Sequence, residues 1–207
     1  MKEKKSAAVK SKINLQAEKF PKQYWKYIMV TGLFGLGNSS NAFLILQIKE
    51  KGLSLIDTVI VYAMFNLVAA LISYPSGSLS DKFGRKPLLL ISFIIFFVSY
   101  TGFAFAPGIF LIGVLFVFYE LFQGIFRSVG KSYAADLVPA NLRAGSIGWY
   151  SATVGLSGLI ASIIAGQLWD KLSHSSVFIY GAIFSLAGII SLLLFIPNKQ
   201  YKILQTE

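Results

Sequence analysis

Six long apolar runs separated by short polar connections exclude an ordinary soluble globule for this chain. A helix needs about 20 apolar residues to cross about 30 Å of hydrocarbon. Runs of that kind extend from Trp25 to Ile48, Leu55 to Ser78, Pro87 to Ala106, Gly108 to Val138, Arg143 to Leu168 and Ser176 to Ile196, with Pro197 closing the last. Only 14% of the residues are charged, against about 25% in soluble domains, so the surface is not built for water. Each run is expected to be a helix, because backbone polar groups in lipid must be satisfied within the segment. A barrel would alternate apolar and polar residues, and "LLLISFIIFFVSY" does not. The connections "KEKGLS", "SDKFGRK", "FAPG", "PANL" and "DKLSHSS" are short, which makes neighbouring helices antiparallel. The expected organisation is a basic tail over 1–22, a six-helix membrane unit over 23–198 and a short tail over 199–207.

The net charge of +10 does not indicate nucleic acid, because the cations sit in tails and loops between apolar runs. Cytoplasmic loops are enriched in Lys and Arg. One side owns the lysines through Lys26, then Lys82, Arg85, Lys86, Arg127, Lys131, Arg143, Lys199 and Lys202, while the other owns Lys49, Lys51 and Lys171. Both termini are therefore expected in the cytoplasm, in a multi-pass protein of the inner or plasma membrane. Tyr24, Trp25, Tyr27, Tyr74, Trp169 and Tyr201 fall near the expected interfaces, as belt aromatics do. No cleavable signal peptide is read in the lysine-rich start. The same tail could bind anionic lipid, although orientation already accounts for it.

The stretch "YPSGSLSDKFGRKPLL" interrupts two apolar runs with Asp81, Lys82, Arg85 and Lys86. Gly77 and Gly84 allow the chain to turn, and Asp81 can cap a helix or pair with a neighbouring cation. The spacing Gly77-x-x-x-Asp81-Lys82-x-Gly84-Arg85-Lys86, between the second and third spans, resembles the signature loop of major facilitator superfamily (MFS) transporters. Pro87 departs from that pattern, standing where a further basic residue is common. "GLFGLGNSSNAFL", "NLVAALISYPSGSLSDKFGRK" and "AADLVPANLRAGSIGWY" are similar to the second half of bacterial drug- or sugar-efflux members, and the tail to Lys22 resembles the connector before that half.

The resemblance implies an all-α integral membrane fold, a half bundle of six transmembrane helices arranged as a 3+3 inverted repeat. It implies a secondary transporter, or half of one, for a small organic solute, with proton-coupled drug or sugar efflux by alternating access. Such transporters normally have twelve spans, so a second six-helix half is expected as partner, supplied by a separate chain or by a second copy. In that family the loop gates one face. Carried over, Asp81 is the switch acid, Arg85 and Lys86 are its basic partners or hold lipid phosphate, and Asp136 and Arg143 are further partners.

Polar residues inside the spans mark a path or a packing contact. Glu120, Arg127 and Lys131 lie within about 20° of one line on the fourth span, with Gln123 slightly to one side. Arg127 is about 10 Å nearer the cytoplasm than Glu120. An ionisable group at that depth faces a cavity or a partner. Glu120 is either a substrate- or proton-handling acid or a structural partner of Arg127, and Lys131 snorkels to the interface. MFS relatives often carry an acid where Arg127 stands, a departure that bears on any inherited proton mechanism. Asn38, Asn41 and Asn66 are mid-span amides that either bind substrate or bond helices together. The small residues Ser151, Gly155, Gly158, Ser162 and Gly166 read as a close-packing face of the fifth span.

Other chemistries lack their residues. There is no cysteine, hence no thiolate and no Cys-type metal site. No P-loop or HExxH motif is present, and His174 is the single histidine. No cofactor, metal or enzymatic activity is expected. The rival reading is a non-transporting membrane interaction or assembly protein derived from a half-transporter.

Overall fold

The computed structural model describes residues 20–50 and 52–197. Most of the basic tail, Lys51 and the C-terminal tail 199–207 lie outside the described residues. Seven α-helices follow one another: α1 Lys22–Gly35, α2 Ala42–Glu50, α3 Leu55–Phe83, α4 Arg85–Phe105, α5 Ile109–Asp136, α6 Arg143–Lys171 and α7 His174–Phe195. A 3-10 turn, Ala140–Leu142, leads into α6. Among the described residues there is no strand, and α3 to α7 are each long and apolar enough to cross a membrane.

The first apolar run is not the continuous helix its hydropathy suggests. It is broken between Leu36 and Asn41, in "LGNSSN". With 14 and 9 residues, α1 and α2 each fall short of the roughly 20 residues a crossing requires. The break has a local cause. Glycine is entropically costly in a helix, and Asn and Ser side chains compete for backbone hydrogen bonds. It also has a tertiary cause. At Gly37 an added Cβ would lie 2.6 Å from Phe184 Cβ and 2.8 Å from the Gly181 carbonyl oxygen, so α7 passes against bare backbone there.

The polar connection between the second and third runs differs from expectation as well. The helix continues through Pro75 to Phe83, so Asp81 and Lys82 belong to its last turn. Gly84 alone is non-helical, at φ +95°, where a side chain would be strained. Gly77 is helical and does not turn the chain. A Cβ there would stand 3.3 Å from Ser128 Oγ of α5. Hydroxyls start two helices: Ser54 accepts from the Asp57 amide, and Ser173 from the Ser176 amide.

Helix α4 packs against α5 and α7, α3 against α5, and α1 against α6 and α7. The core between them is aromatic. Phe34 stacks on Phe93 with centroids 3.8 Å apart, and Phe96, Tyr100, Phe122, Phe126 and Phe178 extend the cluster. Hydroxyls stitch the helices where carbonyls are reachable: Tyr24 to Ser146, Tyr27 to Gly130 and Ser185 to Phe93. Apolar residues on the outside, such as Met64, Leu71 and Tyr74 on α3 and Leu156 on α6, remain exposed, as a lipid-facing surface requires.

Gly37→Ala is expected to lower thermal stability in detergent by about 1–3 kcal/mol through overpacking. Gly155→Ala, where an added Cβ meets nothing within 4 Å, is expected to leave the melting temperature unchanged.

Candidate functional site

The break in the first apolar run opens a cavity. Its volume is about 390 Å³, and Asn38, Ser39, Ser40 and Asn41 of the break form one wall. Gln123, Phe126 and Arg127 of α5 form a second, and Val154, Gly155, Gly158, Leu159 and Ser162 of α6 the third. Non-helical backbone at membrane depth is tolerated where it lines a cavity or is buried in protein. Here Ser162 accepts from the Ser40 amide at 3.0 Å and its own hydroxyl donates to the Gly158 carbonyl at 2.7 Å. The Ser40 hydroxyl accepts from the Ala42 amide and so starts α2.

A second network fixes Asn41. Its Oδ1 accepts from the Tyr119 hydroxyl at 2.6 Å and from Gln123 Nε2 at 3.3 Å, while Gln123 also donates to the Tyr119 oxygen at 2.8 Å. Of the expected path residues, Asn38, Asn41, Gln123 and Arg127 therefore meet at one cavity. Asn66 does not join them: its amide donates to the Tyr62 carbonyl one turn back on α3. Glu120 is 1% exposed, is absent from the cavity wall, and has an Oε1 with no hydrogen-bond partner among the described residues.

The sequence reading missed Tyr119, Ser40 and the role of Gly155. Five consecutive residues of weak helix propensity, "GNSSN", were the available signal for Ser40. The small-residue face of α6 also departs from expectation. A Cβ added at Gly155 would meet nothing within 4 Å and one at Gly158 only the Asn38 carbonyl at 3.7 Å, so this part of the face borders the cavity, while Ser162 on it bonds to the break.

At one end of the bundle Arg85 bridges two acids. Its Nη2 lies 2.6 Å from Asp81 Oδ1 and its Nε donates to Asp136 Oδ2 at 2.9 Å, with a further hydrogen bond to Ser80 Oγ. The bridge joins the end of α3, the start of α4 and the end of α5. Lys86 does not join it. It is buried and donates to the Ile196 carbonyl just past α7, which leaves that C-terminal carbonyl satisfied and Asp81 to Arg85 alone. Lys82 sits over the Phe83 ring, 5.5 Å from its centroid. Arg143, at the start of α6, makes no ion pair among the described residues.

A bundle that packs five helices long and apolar enough to cross a membrane is an integral, multi-pass membrane protein. The chain belongs to the Major Facilitator Superfamily, whose sequence profile matches residues 27–206. It is 35% identical over 182 residues to an uncharacterized MFS-type transporter of Methanocaldococcus jannaschii, covering 85% of this chain and 45% of that one. It is 31% identical over 130 residues to the class B tetracycline resistance protein of Escherichia coli, covering 61% and 31%. To the quinolone resistance protein NorA of Staphylococcus aureus it is 30% identical over 154 residues, covering 74% and 39%. The chain thus spans less than half the length of each of these relatives. Members of this family are transporters and not enzymes.

The Arg85–Asp136 pair is half-exposed, so it is expected to be weak in isolation. A double-mutant cycle with Arg85→Gln and Asp136→Asn, read by thermal unfolding, should give a coupling of roughly 0.5–1 kcal/mol. That coupling should shrink in 1 M salt, where the screening length falls to about 3 Å.

Proposed function

We propose that this chain is a six-span half of a secondary transporter that exports a small organic solute by alternating access. The cavity at the helix break is the observation that carries the reading. It places amides, hydroxyls and a guanidinium around a space large enough for a small solute, where discontinuous helices and unwound backbone supply binding groups in transporters. In this reading α1, the break and α2 together make one crossing, the sixth beside α3 to α7.

The helix pairing supports a 3+3 inverted repeat. Exchanging the first three spans for the last three maps the α3–α5 contact onto α6–α1, and α4–α5 onto α7–α1, while α4–α7 maps onto itself. The lysine-rich side is assigned to the cytoplasm, which puts the Arg85 bridge at the cytoplasmic mouth. There it acts as a gate latch: an exposed pair of this kind is weak enough to open and close in a cycle. Glu120 handles the coupling proton, in keeping with a buried carboxyl whose Oε1 lacks a partner. A second six-span half faces the cavity and completes the path.

Proteoliposomes holding the chain, and the chain together with any six-span partner that co-purifies with it, are expected to show saturable, gradient-driven flux of a small organic solute. Tetracycline and a quinolone, the compounds in the relatives' names, head the panel. Absence of flux for every member in both preparations overturns the proposal and favours a non-transporting assembly role. Glu120→Gln is expected to abolish the response to an imposed pH gradient while solute counterflow persists, and an unchanged response would remove Glu120 from the coupling step.

A further inference from the structure

We propose that the cavity beside the broken helix is selective for organic anions, taking a solute with a carboxylate and a flat apolar body. This deepens the transport reading and rests on it only in treating the cavity as the solute site. Arg127 is the single ionisable residue among those lining the cavity, and among the described residues it makes no ion pair. Most of the described acids are engaged elsewhere. Asp81 and Asp136 pair with Arg85, Glu50 pairs with His174, and Asp57 accepts from Ser54. Glu120 lies two turns along α5, about 10 Å away by helical rise; its charge and that of Arg127 attract each other, but Glu120 makes no ion pair with it and stays buried off the cavity wall. An exposed guanidinium on the cavity wall with no ion-pair partner attracts an anion and repels a second cation. It also offers a carboxylate a bidentate fork.

The hydrogen-bonding balance points the same way. The Asn41 oxygen is already taken by Tyr119 and Gln123, so the group that Asn41 retains for a solute is its NH2 donor. The Ser162 hydroxyl is spent on the break and on α6, while that of Ser40 accepts from the Ala42 amide. The remaining wall is apolar, formed by Phe126, Val154 and Leu159. Gly155 gives it an open floor: no neighbour lies within 4 Å of where its Cβ would be, so helix packing does not require glycine there.

The test is equilibrium binding of three probes on one scaffold to the purified chain in lipid nanodiscs: 2-naphthoate, 2-naphthamide and 2-naphthylmethylamine. The carboxylate is expected to bind at least about tenfold more tightly than the amide, the amine least. Tenfold corresponds to about 1.4 kcal/mol, within the range for a charge-assisted hydrogen bond. Arg127→Gln should erase the preference and Arg127→Lys should keep part of it. Gly155→Leu should block the carboxylate without lowering the melting temperature, which separates lost binding from lost folding. Equal or tighter binding of the amide or amine, a preference that survives Arg127→Gln, or no binding by a folded protein overturns the inference. Flux of a cationic solute with no carboxylate preference would leave the transporter reading standing and remove this one. Arg127-dependent carboxylate binding without flux would do the reverse.

Discussion

The constraint on which the structure depends is that backbone groups within hydrocarbon must find partners inside the protein. Five long helices meet it unbroken. The first apolar run does not, and everything distinctive about the molecule gathers where it fails. Between Leu36 and Asn41 the helical ladder lapses, and its groups turn to Ser162, to the ends of α1 and α2, and to the cavity. The same segment is pressed by α7 at Gly37, so the bend is fixed by packing from one side and left open on the other.

The aromatic core makes that asymmetry possible. Rings of α1, α4, α5 and α7 interlock on one flank of the break, whereas the flank toward α6 presents glycines and serines. One side is therefore stiff and closed and the other roomy. Farther along the bundle the charged contacts follow the same division. Lys86 is buried against the carbonyl past α7, while the Arg85 bridge is partly exposed.

Hydropathy made α3 to α7 legible to within a few residues, because long uniform runs leave helix as the only solution. It concealed the break. Asn and Ser sit between apolar flanks, and averaging over a span smooths them away, although their shared weak helix propensity marks the segment. Asp136 was readable as a neighbour of the charged connection because the alternation of the runs puts both at one end of the bundle. The Lys86 contact was not, since its acceptor is a backbone carbonyl 110 residues away with no side-chain signature. Glu120 and Arg127 read as a pair from helical spacing, yet the fold buries one and opens the other to the cavity, a distinction set by neighbouring helices rather than by α5 itself.

The central claim is that the break opens onto water at mid-span. Because the chain has no cysteine, single cysteines report on it without background. Ser40→Cys and Ser162→Cys border the cavity. Ile183→Cys, on the exposed face of α7 beside the residues that touch Gly37, provides a lipid-facing control at the same depth. In membrane vesicles a small hydrophilic maleimide should label the first two rapidly and the third barely, because only a hydrated thiol ionises and reacts. Equal inertness at all three positions would mean a dry, closed first span and would contradict the account.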